Sequence, residues 1–270
     1  MLTQKTIAAQ ACAEGVGIHS GSRSHVRLCP AEAGAGIRFR VAGVEIPAAL
    51  DHVVDTRRCT SLGADGARLD TPEHLLAALY CLRVDNLVVE VDAPELPILD
   101  GSALPWVELI RRAGIADTGV AAPVRRLLRE VRLEQGGSVY EARPADSLSV
   151  RCEVRYDHPL LGVQSGSWRE EAFADALAPA RTYGFIEEVE ALLARGLALG
   201  GSLDNALIIY QDHYSSELRM PQEPLCHKAL DLVGDLSLVG GRPAATITAV
   251  RPGHAGNVAF GRLLAQALEP

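Results

Sequence analysis

The sequence predicts an α+β protein of two similarly folded domains, each a β-sheet layer packed on helices. Three observations predict it. Each half ends in the same order of elements: strands, a helix, one strand and a further helix. A small, polar stretch at residues 117–123, with a Gly and a Pro, reads as the linker between them. The helix expected in the first half is apolar nearly all round and must therefore be buried. The domains are bounded at 1–120 and 124–270, a structural repeat without a sequence repeat. A cleft between two such units is a favoured place for a ligand site.

The first sixty or so residues read as short strands, at 6–12, 26–28, 36–41 and 59–62. Glycines 15, 17 and 21 imitate a phosphate loop. A dinucleotide fingerprint, however, opens a helix after one buried strand. Here the run joins two half-polar strands, so a hairpin connection is expected. Thr71 is placed as the N-cap and Pro72 at the first position of a helix reaching about residue 83. A strand at 86–92, a Pro-rich loop at 93–101 and a helix at 102–113 complete this half.

Beyond the linker, strands are expected at 124–134, 139–143 and 148–156. An amphipathic helix at 186–195 sets Ile186, Val189, Leu192 and Leu193 on one face. A strand at 206–210, a long helix at 224–238, a strand at 244–250 and a last helix follow.

Composition excludes several classes of function. Hydrophobic residues at 48% and charged residues at 22% give the balance of a soluble globular protein. A formal net charge of -8 argues against a nucleic-acid binder, though not against a local basic pocket. No window approaches the roughly 20 apolar residues that cross a bilayer. The first ten residues lack the apolar stretch of a signal peptide. The cysteines at 12, 29, 59, 81, 152 and 226 are scattered, and several sit in apolar runs. A reducing, cytoplasmic setting is expected, with no cysteine-based metal site.

The chemistry-bearing residues concentrate on the long helix of the second half. His227, Asp231 and Asp235 are spaced i, i+4, i+8 and project from nearly one face. Buried charges are costly unless paired or bound to metal. An ordinary polar face with a His–Asp pair explains the same spacing. In the first half, Glu73 and His74 adjoin at a helix start. They point in different directions, so they suit a ligand and a neighbouring base; a helix-start Glu beside a core histidine is the plainer alternative. A catalytic zinc site commonly takes two His and a carboxylate, leaving one position open. His74, His227 and Asp231 would make that set. His254 lies in a turn after a predicted strand and could act as a general acid, with Asp235 raising its pKa. Thr182 could bind an oxyanion or merely cap a helix. His19, His25, His52, His158 and His213 are assigned no catalytic role.

Taken in order, these segments resemble one family, the zinc-dependent UDP-3-O-acyl-N-acetylglucosamine deacetylases. The matches are Gly15-Val16-Gly17-Ile18-His19-Ser20-Gly21, Thr71-Pro72-Glu73-His74-Leu75, Pro97-Ile98-Leu99-Asp100-Gly101-Ser102, Arg181-Thr182-Tyr183-Gly184-Phe185, Leu199-Gly200-Gly201-Ser202, His227-Lys228-Ala229-Leu230-Asp231 and Gly253-His254. They cover almost the whole chain. Any one is modest; all in order are specific.

The resemblance implies an active site between the domains, with zinc, or iron(II), on His74, His227 and Asp231. It implies Glu73 as general base, and His254 as general acid or charge stabiliser with Asp235 as its partner. Thr182 falls at the oxyanion-binding threonine. Lys228 and Arg251 match basic positions near the UDP phosphates, and Tyr156 the ring that stacks on uracil. Residues 196–202, with Gly201, Ile186 and Leu203, match the acyl-chain passage. The implied reaction removes the N-acetyl group of UDP-3-O-acyl-N-acetylglucosamine, as acetate, in lipid A synthesis. The implied protein is a cytoplasmic monomer with no nucleic-acid partner and no transmembrane segment. A zinc amidase for another N-acetylated sugar nucleotide and a non-catalytic metal-binding relative are the alternatives.

The sequence departs from the family pattern at Arg57-Arg58, where neutral residues are common at the site mouth. It departs again at Tyr183, where phenylalanine is common, and at Cys226, where arginine is frequent. The first departure bears on acyl-chain preference.

Overall fold

A computed structural model of the protein describes residues 2–269, so the expected outer bounds of the domains, Met1 and Pro270, lie outside the described residues. The first half begins with β1 (Thr3–Ile7), β2 (Ala11–Val16), β3 (Arg23–Pro30), β4 (Ile37–Val41) and β5 (Val44–Pro47). It continues through β6 (Val53–Asp55), β7 (Ser61–Ala64), β8 (Ala67–Asp70), α1 (Glu73–Cys81), β9 (Leu87–Val91), α2 (Leu104–Ala113) and β10 (Ile115–Ala121). The second half begins with β11 (Val124–Arg126), β12 (Val131–Gln135), β13 (Ser138–Pro144), β14 (Ser149–Arg155), β15 (Val163–Arg169) and α3 (Phe173–Ala176). It closes with β16 (Tyr183–Phe185), α4 (Ile186–Ala194), β17 (Leu207–Ile209), α5 (Glu223–Ser237), β18 (Arg242–Val250) and α6 (His254–Ala265).

Each half carries one main sheet, and the two are paired alike, strand for strand. The first runs β2-β3-β9-β4-β5. There β3 is antiparallel to β2 and β9, and β4 is parallel to β9 and antiparallel to β5. The second runs β12-β13-β18-β14-β15. There β13 is antiparallel to β12 and β18, and β14 is parallel to β18 and antiparallel to β15. A parallel neighbour demands a crossover, which α1 supplies before β9 and α5 before β18. The repeat expected from element order is therefore a repeat of topology. Strand β3 shows why each sheet has one buried face: Ser24, Val26 and Leu28 are buried while Arg23, His25 and Arg27 are exposed.

The equivalent crossover helices, α1 and α5, pack on one another, with α2 against α1 and α6 against α5. In α1, residues 73–80 are all buried. One hydrophobic core runs through both halves, from Phe39, Ile46 and Trp106 to Tyr140, Phe173 and Phe260. No helix among the described residues is long and apolar enough to cross a membrane.

Several local expectations are corrected. The strand expected at 6–12 is two strands in different sheets, because β1 turns away to pair with β10. Residues 117–121, expected in a linker, form part of β10. Their small, polar, largely exposed sequence has no buried face to announce a strand; a partner more than a hundred residues away creates it. The strand expected at 124–134 is split into β11 and β12. Strand β15 has no counterpart in the sequence pattern, since its centre, Gln164-Ser165-Gly166-Ser167, has no apolar face. Thr71 does not cap α1. It sits at φ 61, and its hydroxyl donates to Glu95 Oε1 at 3.1 Å.

Candidate active site

Packing α1 on α5 brings the chemistry of the two halves together. The approach is close because residue 234 is glycine: a Cβ there would lie 2.2 Å from the Glu73 carbonyl oxygen. Glu73 and His74, at the start of α1, thus face the His227–Asp231–Asp235 side of α5, and all five residues are buried.

His74, His227 and Asp231 converge. One ligand atom from each lies within 4.8 Å of the others, a set that could hold a metal ion. His74 Nε2 and His227 Nε2 stand 3.7 Å and 3.4 Å from Asp231 Oδ1. That oxygen is buried and has no hydrogen-bond partner. His227 Nδ1 is 3.1 Å from the Ala180 carbonyl, which must receive its N–H. The Nε2 lone pair is thereby left facing Asp231 and His74, the orientation a metal-ligating histidine needs. Burial, foremost, lowers the His227 pKa to about 3, so the ring is neutral and able to ligate. An orphaned buried oxygen beside two imidazole nitrogens is what a bound cation would satisfy, and the donor set fits zinc.

The loop before β16 is fixed to α5 through two successive residues, and through the next to the first half. Ala180 orients His227. Arg181 donates to Glu223, the first residue of α5, from its backbone N–H at 3.0 Å and from Nε at 2.8 Å. Thr182 donates its N–H to Gly101 O at 2.7 Å and presents its side chain to the cavity described below. Burial alone would raise the Glu223 carboxyl, but the Arg181 guanidinium and the N–H groups of Arg181 and Arg219 outweigh it and hold the pKa down.

A second buried cluster adjoins the first. Asp235 accepts from Thr60 Oγ1 at 2.5 Å, from His254 Nδ1 at 2.9 Å and from Asn257 Nδ2 at 2.8 Å. His254, the first residue of α6, then points Nε2 at Glu73 Oε1, 3.8 Å away. Burial pushes the Glu73 pKa up to about 7, although His254 pulls it down. Burial lowers that of His254, but Asp235 and then Glu73 override it and raise the pKa to about 9. Both pKa values are raised, and the two groups face each other across 3.8 Å, a perturbation of the kind that clusters at functional sites. Lys228 Nζ donates to Asp231 Oδ2 at 2.8 Å, which keeps the lysine charged despite its burial.

These groups form the floor of a cavity of about 590 Å³ lined from both halves. Glu73, His74, Thr182, His227, Lys228, Asp231 and His254 line it, and so do Tyr156, Tyr183, Ile186, Gly201 and Leu203. Tyr156 and Tyr183 share a hydroxyl–hydroxyl hydrogen bond of 2.5 Å. Asp235 reaches the site only through His254 and Thr60. Arg251 is not brought in: it is exposed and its guanidinium lies against Gly137. His19, given no role from sequence, lines the cavity, as does Cys59. A shallower hollow of about 620 Å³ on the outer face of the first sheet is lined by acids and bases paired with one another, including His25–Asp92 and Arg27–Glu90.

Sequence reasoning missed Thr60, Asn257 and Glu95. Asn257 carried a signal, since it follows His254 at i+3 on α6 and so shares its face. Glu95 carried none. Its carboxylate accepts the N–H groups of His19 and Ser20 at 2.9 and 2.8 Å. The glycine-rich hairpin turn therefore cradles an internal carboxylate instead of a phosphate.

Comparison with known proteins finds relatives that match over nearly the full length of the chain. The family model for UDP-3-O-acyl N-acetylglycosamine deacetylase matches residues 4–266. A UDP-3-O-acyl-N-acetylglucosamine deacetylase of Brucella melitensis biotype 2 is 42% identical over 260 residues, covering 93% of this chain and 91% of its own. Those of Brucella ovis and Brucella suis are 41% identical with the same coverage. The chain belongs to the UDP-3-O-acyl-N-acetylglucosamine deacetylase family.

Proposed function

We propose that this chain hydrolyses the N-acetyl group of UDP-3-O-acyl-N-acetylglucosamine, releasing acetate, as a cytoplasmic step of lipid A synthesis. The observation that carries the reading is the joint position of the His74–His227–Asp231 set and the Glu73–His254 pair at the floor of one cavity. The relatives' names supply the substrate.

Zinc, or iron(II), held by His74, His227 and Asp231 would supply Lewis acidity to the amide carbonyl and make a water a better nucleophile at neutral pH. Glu73 accepts the proton of the attacking water as its oxygen bonds to the acetyl carbon. The Thr182 hydroxyl donates to the oxygen that gains charge. When the C–N bond breaks, the electron pair goes to nitrogen, and His254 donates the proton that makes it a leaving amine. Asp235, held by Thr60 and Asn257, keeps the His254 ring oriented and charged. Lys228 contributes positive charge for the pyrophosphate, and Tyr156 a face for uracil. The apolar residues of α4 shelter the acyl chain, at about 0.8 kcal/mol per methylene buried.

Deacetylation of UDP-3-O-acyl-N-acetylglucosamine by the purified protein, with and without a chelator and beside Glu73→Ala, tests this. Chelator-sensitive turnover that collapses in the variant is expected. Absence of turnover by a folded, metal-loaded sample overturns the substrate assignment.

A further inference from the structure

One wall of the cavity is made by α4. None of its residues is buried, yet Ile186, Val189, Leu192 and Leu193 line the cavity. A nine-residue helix is marginal alone, so its position depends on tethers. One tether is local to the second half: Gln211 Nε2 donates to Glu187 Oε1 at 2.7 Å. The other spans the cavity rim. Arg58 Nη1, from the β6–β7 loop of the first half, donates to Glu188 Oε2 at 2.8 Å. Both residues also line the cavity.

The loop is built to deliver this arginine. Asp55 accepts the N–H groups of Thr56 and Arg57 at 2.8 and 3.1 Å, and the Arg57 guanidinium closes on the same carboxylate. Arg58 itself is held at φ 70, a left-handed conformation that a long side chain adopts only when its surroundings impose it. Farther along the rim the halves are joined by backbone: Leu199 and Gly200 donate N–H groups to His19 O and Ile18 O at 3.2 and 3.1 Å. That seam is fixed. The α4 rim is held to the first half through an ion pair whose side chains are each 47% exposed, open to water and to salt.

We propose that Arg58 and Glu188 form an openable strap that closes α4 over the acyl chain and thereby selects for long chains. The proposal rests on the reading of the substrate as an acylated sugar nucleotide. An exposed ion pair shifts an equilibrium by no more than about fivefold. The strap can therefore part for entry and still favour the closed state. A short chain does not reach α4 and gains nothing from it, whereas a long one is covered along its length.

The test compares kcat/KM for substrates with short (about four-carbon) and long (about twelve-carbon) acyl groups in the wild type, Arg58→Ala and Glu188→Ala. The long-to-short ratio is expected to fall about two- to fivefold in either variant. Salt raised from ~0.05 to ~0.5 M should lower the wild-type ratio and leave the variants' ratios unmoved. Unchanged ratios in both variants, or a salt-independent wild-type ratio, overturn the strap. If the wild type does not turn the substrate over, the functional reading has failed, and the strap is tested by titrating a dansyl-labelled undecanoic acid into the same three proteins. Binding two- to fivefold weaker in the variants then supports the strap, and equal affinity overturns it.

Discussion

Gly234 on α5 lies so close to Glu73 on α1 that a methyl group at 234 would stand 2.2 Å from the Glu73 carbonyl oxygen and 3.2 Å from its Cα. This contact sets the distance between the helix that carries Glu73 and His74 and the helix that carries His227 and Asp231. The atoms in the way are backbone, which cannot rotate aside. Gly234→Ala should therefore destabilise the fold by about 1–3 kcal/mol through overpacking. It should also separate His74 from His227 and Asp231. Denaturant unfolding, together with metal content after dialysis, checks this: stability and metal stoichiometry fall together. Wild-type metal retention would show that the helix spacing does not govern the site.

The unpartnered Asp231 Oδ1 between His74 and His227 predicts that a cation stabilises the fold. A ligand present at 100 times its Kd adds about 2.7 kcal/mol. Chelation should lower the Tm of the wild type, and zinc should restore it. His74→Ala and His227→Ala should remove most of that response, because two remaining donors hold zinc poorly. A Tm indifferent to chelator and zinc in the wild type argues against the three residues as a metal set.

How far the sequence revealed this site depends on where each signal lay. The α5 ladder was legible because a helix projects i, i+4 and i+8 on one side and nothing outside it is needed. The repeat was legible because both halves place a buried crossover helix before the central strand. Residues whose role is created by distant partners were not. Thr60 meets Asp235 across 175 positions, and Glu95 fills the hairpin turn from 75 positions away. Strand β10 exists only through β1. Arg251 was carried over from family resemblance, and the φ of 54 at that residue accompanies a guanidinium directed to Gly137 and away from the cavity.

Tyr183 stands where the family commonly has phenylalanine, and its extra hydroxyl meets that of Tyr156 at 2.5 Å. If Tyr156 stacks on uracil, the bond holds that ring in place before the nucleotide arrives. Tyr183→Phe leaves the ring and its packing but frees Tyr156. A hydrogen bond of about 0.5–1.5 kcal/mol corresponds to a roughly two- to tenfold change. KM should rise by about that factor with kcat nearly constant. Isothermal titration with UDP alone reads the same loss without turnover, and equal affinity in the two proteins removes the link between the tyrosines and the nucleotide.

The Arg181–Glu223 pair offers a pH-dependent test away from the metal set. Glu223 is fully buried and accepts from both the backbone and the guanidinium of Arg181, so its folded-state pKa lies below the ordinary 4.5. A depressed carboxyl stabilises the fold above its unfolded pKa, and the contribution is lost as pH falls through the folded one. Glu223→Gln leaves Arg181 charged and buried without its counterion, at a cost of about 3–5 kcal/mol near neutral pH. The stability gap between wild type and variant should be constant above about pH 5 and shrink below about pH 4.5, as the wild-type carboxyl begins to protonate. Urea unfolding of both proteins across that range measures it. A gap that does not narrow on acidification would mean that the Glu223 carboxylate is not what holds the loop of Ala180, Arg181 and Thr182 against the start of α5.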